Sequence, residues 1–119
     1  MATVPISTTL NAVDGSFITW TPLTTTNADG APTGFVGSGD RTVQVTGTFG
    51  AGGTVVFEGS LDNVNWFGLR DPASVAISIT ASGIRHILES TPFVRPRVTA
   101  GDGTTSITAM VYHRRNNNA

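Results

Sequence analysis

From Arg41 to Tyr112 apolar side chains keep returning at every second position, and a period of two is the signature of strands with one buried face. In RTVQVTGT, Val43 and Val45 alternate with Thr42, Gln44 and Thr46. In Phe93 to Thr99, Val94, Pro96 and Val98 share one face, while Phe93, Arg95 and Arg97 share the other. Pro96 has no amide to donate, which places it at a sheet edge or a bulge. Ile107, Ala109 and Val111 alternate in the same way with Thr108, Met110 and Tyr112.

Turn residues separate these runs. Gly50-Ala51-Gly52-Gly53 has the length of a hairpin connection, so Thr54 to Ser60 is expected to return alongside Arg41 to Thr48. Asp62-Asn63 turns the chain into Trp66 to Leu69, expected as a strand carrying a large aromatic load. Val75 to Thr80 reads as a further strand, despite the helix-start look of Asp71-Pro72. Ile84 to Leu88 fits a short strand or one helical turn equally, and Gly101-Asp102-Gly103 leads into Ser106 to Tyr112.

The first third is less patterned. Residues 1–16 are polar and Thr-rich and read as an arm that orders against a partner surface. Phe17 to Trp20 is a first short strand, and Thr21 to Asp40 a long loop with turns at Asp29-Gly30 and Gly39-Asp40. The expected architecture is all-β: a single antiparallel β-sandwich, jelly-roll or Ig-like, over residues 17–115, with an extended N-terminal arm and a polar tail at 116–119.

Composition narrows the functional classes. There is no lysine, and Glu and Gln are nearly absent, so a helical bundle would have little to place on its wet faces. A formal net charge of -1 lacks the basic excess with which proteins displace counterions from phosphates, which argues against nucleic acid as a partner. Without cysteine, disulfides, thiolate zinc sites and thiol nucleophiles are all excluded. No apolar run is long enough to cross a bilayer as a helix, and Met1 to Ile6 lacks the charged and apolar regions of an export signal, so no membrane partner is expected.

Candidate chemistry is sparse. His86 and His113 stand far apart, outside any metal-ligand spacing, and no nucleophile motif accompanies them. Asp62, Asn63 and Asn65 could offer oxygens to calcium, but an ordinary β-turn explains them better. Glu58 and Glu89, the only glutamates, are not placed together as a glycosidase pair would be, and GTFGAGG lacks the Lys-Ser/Thr ending of a phosphate loop. Trp20, Trp66 and Tyr112 would stack on sugars if exposed, although Trp66 beside Phe67 is better explained as core filling. Arg95 and Arg97 share a face from which their forks could meet a neighbouring subunit's carboxylates or pair internally. The expectation is a non-enzymatic chain with no cofactor and no metal.

The stretches VQVTGTFGAGGTVVFEGSLDNVNWFGL, ITASGIRHILES and FVRPRVTAGDGTTSITAMVYHRR resemble small virion structural proteins of tailed bacteriophages, in particular capsid decoration (cement) proteins. The resemblance covers about the C-terminal two-thirds of the chain. It implies a β domain, commonly a homotrimer, made in the host cytoplasm and seated on the capsid surface of the virion, where it clamps adjacent major capsid protein subunits. Pro5, Ile6, Phe93, Arg95 and Arg97 are the residues expected at subunit or capsid contacts. A head-tail or tail component, and a module binding a surface glycan, are the alternatives.

Overall fold

The computed structural model describes residues 3–11, 15–34, 38–89 and 91–115. Among them the structure is all-β: β1 (Ser7–Asn11), β2 (Gly15–Leu23), β3 (Thr33–Gly34), β4 (Ser38–Thr48), β5 (Thr54–Ser60), β6 (Phe67–Gly68), β7 (Ser78–Ile79), β8 (Gly83–His86), β9 (Phe93–Ala100) and β10 (Ser106–Arg115). Two antiparallel sheets pack face to face as a β-sandwich. The first has the order β1-β2-β10-β4-β8; the second has β3-β9-β5-β6, with β7 also pairing with β5.

The alternation read from the sequence becomes the core. Ile18 and Trp20 of β2, Val43 and Val45 of β4, and Ile107, Ala109 and Val111 of β10 point inward from the first sheet. Val55 and Phe57 of β5 meet them from the second, with Val94 and Val98 of β9. Trp20 is fully buried, and its indole N–H donates to the Ala31 carbonyl at 2.9 Å, so the one polar atom of that ring is satisfied. Pro96 lies opposite Phe57 in β9, and its carbonyl accepts from the Gly30 amide at 2.9 Å. Since the amide and carbonyl of one antiparallel residue point to the same side, the missing N–H faces Gly30 and the ladder to β5 loses nothing.

The expected hairpin is not formed. Arg41 to Thr48 lies in the first sheet and Thr54 to Ser60 in the second, so residues 49–53 carry the chain across the sandwich. Residues 101–105 make a second crossing from β9 to β10, and the two arches are tied together. Asp102 accepts the Ala51 amide at 2.8 Å, and the Thr105 hydroxyl donates to the Phe49 carbonyl at 2.7 Å. Gly50 and Gly52 hold φ of 70°, the left-handed region that this tight arch requires.

The N-terminal third is more structured than its composition suggested. Ser7–Asn11, inside the stretch read as an arm, pairs antiparallel with β2. Val4 is buried, donating its amide to Asp29 at 2.8 Å and accepting from Ala31 at 2.7 Å. The strand read at Phe17 to Trp20 extends over Gly15–Leu23, while Gly39-Asp40 lies within β4 and makes no turn. Ile84 resolves as strand, and the tail at 116–119 lies outside the described residues.

Candidate interaction surface

The residues singled out for chemistry are dispersed by this fold. His86 lies opposite Thr42, and Thr42 opposite Tyr112, while His113 lies opposite Arg41, one step along the same strands. Successive residues point to opposite faces, so the two histidines sit on opposite sides of the first sheet. Glu58 is ion-paired with Arg95 at 3.0 Å and with Arg97 at 3.5 Å, and Glu89 with Arg70 at 2.7 Å. Among the described residues no group of three or more His, Asp or Glu side chains could hold a metal ion.

Asp62 and Asn65 are spent on their own turn. One carboxylate oxygen of Asp62 accepts the amides of Val64 and Asn65 at 2.9 and 2.8 Å and the Ser60 hydroxyl at 2.9 Å. The other accepts the Asn65 side-chain amide at 2.7 Å. Donors from Asn65 and Val64, then from Ser60, hold the Asp62 carboxyl well below the usual carboxylate range. The Thr104 hydroxyl, helped by the Ala51 and Thr104 amides, lowers Asp102 to about 2. Burial works against ionisation at Glu89, but the amide and guanidinium of Arg70 prevail and lower its pKa.

His113 titrates in a different window. Burial, with the nearby Arg41 charge second, lowers its pKa from the ordinary 6.5. The unfolded chain therefore takes up that proton more readily than the folded one, and stability falls as pH drops through and below 6.5. The carboxylates add their own loss only further down, below about pH 4. Urea midpoints at pH 7.5 and 5.5 should differ measurably in the parent chain, and His113→Gln should remove most of that difference.

The outer face of the second sheet carries the residues expected at contacts. Phe93, Arg95 and Arg97 do share it, but the two guanidiniums are engaged within the chain. Arg95 lies between Glu58 and the Trp66 ring, its Cζ 4.3 Å from the ring centroid. Arg97, half exposed, reaches Asp29 at 3.6 Å as well as Glu58. Pro5 and Ile6 are exposed just after the buried Val4. As sugar platforms, Trp20 is excluded by burial, and one face of Trp66 lies under Arg95. The expectation that Trp66 and Phe67 fill the core is also overturned: Trp66 is half-buried and Phe67 exposed, because β6 is a two-residue strand at the sheet edge.

Sequence reasoning missed a different surface. Eight large hydrophobic residues are exposed among the described residues, and six of them, Leu61, Val64, Phe67, Val75, Ile84 and Leu88, belong to residues 61–88. These segments close one side of the sandwich, where β6 and β8 are the outermost strands of their sheets and the Leu88 amide donates to the Arg70 carbonyl at 2.8 Å. Leu61, Val64 and Phe67 are 76%, 75% and 71% exposed. Leu61, Phe67, Leu69 and Gly59 line a groove of about 390 Å³, rimmed by Asp62, Asn65, Glu89 and Thr91. The rim carboxylates already accept bonds from the chain itself, so what the groove presents to a partner is mainly apolar. A signal existed in the sequence: Leu61 and Val64 flank the polar turn at Asp62-Asn63, where an apolar side chain has no core to enter.

The chain matches no protein-family model, no curated protein and no solved structure.

Proposed function

We propose that this chain is a non-enzymatic structural protein of a phage particle, which binds the outer capsid surface and stabilises contacts between major capsid subunits. The resemblance of Val43 to Leu69, Ile79 to Ser90 and Phe93 to Arg115 to decoration proteins supplies the kind of particle. One structural observation supports protein binding as the work: Leu61 and Phe67, among the most exposed large hydrophobics of the described residues, line one apolar groove of about 390 Å³ at the edge of the second sheet. Apolar surface gathered in one groove is favourable to bury and unfavourable to leave in water. Attachment to the capsid falls to the outer face of the second sheet and the chain start, where Phe93, Arg95, Arg97, Pro5 and Ile6 lie.

The test is co-sedimentation with undecorated heads assembled from the major capsid protein encoded beside this chain's gene. The chain is expected to pellet with the heads in a saturable ratio of hundreds per particle and to raise the temperature at which they open. A few copies per particle would favour a head-tail or tail component. A neighbourhood without a capsid gene, or heads that leave the chain in the supernatant, would remove the reading.

A further inference from the structure

A second groove crosses the outer face of the first sheet, and we infer that it binds an uncharged glycan. The inference goes beyond the capsid reading. That reading turns the second sheet toward the head, and this face lies on the opposite side of the sandwich.

Strand register places the side chains. Ile18, Val43, Val45, Ala109 and Val111 point into the core, so their neighbours Phe17, Thr42, Gln44, Met110 and Tyr112 point out. Tyr112 stands between Phe17 and Thr42, and Thr42 lies opposite His86. Two residues along the strands, Met110 lies opposite Gln44, and Gln44 opposite Ile84. Two rows of side chains thus run across β10, β4 and β8, and between them lies a groove of about 130 Å³ with the buried Val43 in its lining. At its β2 end the Phe17 and Tyr112 rings meet, with centroids 4.9 Å apart and planes tilted by 42°.

Three features select the ligand. The first is charge: Phe17, Thr42, Val43, Gln44, Ile84, Met110 and Tyr112 line the groove, and none of them is ionised, so an anion or cation would find no counter-charge. The second is hydrogen bonding. Among the described residues the Thr42 and Tyr112 hydroxyls and the His86 imidazole beside the groove make no hydrogen bond within the chain. The Gln44 amide has only a 4.0 Å approach to the Met110 sulfur. Sugar hydroxyls both donate and accept, so they can match an amide, two hydroxyls and an imidazole together, whereas an apolar protein side chain seated here would strand them. The third is size. The groove is well below the roughly 300 Å³ at which enclosed small-molecule pockets begin, and its exposed apolar side chains, Ile84 and Phe17, are far from filling the half-interface of about 800 Å² that a standard protein contact needs. A single sugar ring fits this scale, with its C–H face on the Phe17 and Tyr112 rings and its hydroxyls toward Gln44 and Thr42.

The test is an amide-resolved NMR titration of the full chain, without any capsid, using neutral hexasaccharides of maltose, cellulose and chitin type, with heparin as the charged control. At least one neutral probe is expected to saturate at millimolar concentration or below. It should shift the amides of Thr42, Gln44, Met110 and Tyr112 and leave those of Leu61 and Trp66 in place. Gln44→Ala and Tyr112→Ala should each raise the dissociation constant at least about tenfold, and Tyr112→Phe, which keeps the ring, should raise it less. Gln44 is half-buried at the surface, so Gln44→Ala carries the test if circular dichroism shows that Tyr112→Ala has lost the fold. No saturation by any neutral probe, saturation by heparin alone, shifts confined to the groove at Leu61 and Phe67, or affinity indifferent to the alanine substitutions would overturn the inference. Head binding retained by the Gln44→Ala chain separates this site from the capsid contacts; its loss would make this face a protein contact and overturn the inference as well.

Discussion

Trp20→Ala is expected to lower unfolding free energy by about 3–5 kcal/mol, the largest effect of any single side-chain truncation in this chain. Trp20 is the largest fully buried side chain, and it is wedged beneath Gly30, where an added Cβ would lie 2.8 Å from the indole and 2.5 Å from Pro96. Removing the ring empties space between the two sheets and strands the Ala31 carbonyl that the indole N–H now satisfies. Urea denaturation followed by circular dichroism measures the loss, with Trp66→Ala as the reference. That ring is half-buried at the sheet edge and stacks on Arg95, so its removal should cost about 1 kcal/mol. Equal losses for the two substitutions would contradict the assignment of Trp20 to the core and Trp66 to the surface.

Gly53→Ala should destabilise by about 2–4 kcal/mol, against about 1 kcal/mol for Gly52→Ala next to it. The two positions fail for different reasons. A Cβ on Gly53 would fall 1.9 Å from the Phe49 carbonyl oxygen, a backbone atom that also holds the Thr105 hydroxyl, so the arch would have to open. A Cβ on Gly52 meets nothing within 4 Å, and only the left-handed φ of 70° opposes it. Chemical denaturation of the two variants measures the difference. A simple two-residue-type hairpin turn in the same place would give the reverse order, with strain at positive φ as the larger penalty.

That contrast marks what the sequence could and could not reveal. Strand content from Arg41 onward was legible because alternation reports which residues face a core, and Val43, Val45, Val55, Phe57, Val94 and Val98 all do. Alternation does not report which strands pair. Val43 and Val55 satisfy it equally on one face of a hairpin or facing each other across a sandwich, and five residues between two good strands fit either. β1 was missed because it is held by main-chain pairing to β2, which leaves no hydrophobic pattern in STTLN. The aromatic weight of Trp66-Phe67 was misplaced for the opposite reason. Aromatic residues mark strands well, yet only the sheet order shows that β6 is an edge.

The candidate surface was less legible than the fold. Arg95 and Arg97 were correctly placed on one face, but their pairing with Glu58 depends on β5 lying beside β9, a long-range contact with no local signature. The groove lined by Leu61 and Phe67 combines a turn with a two-residue strand, and that strand is seen to be an edge only once the second sheet is assembled. What the sequence did offer was the pair Leu61 and Val64 around a polar turn.

The central claim is that these exposed surfaces exist to be covered by protein subunits of a capsid. Electron cryomicroscopy of heads saturated with the chain tests it most directly. The expected map shows sandwich-shaped density repeated over the outer lattice, with the Phe93–Arg97 face against capsid protein and the groove at Leu61 and Phe67 buried against a neighbouring subunit. Bare capsids under saturating protein, or attached copies with both surfaces left in solvent, would contradict the account.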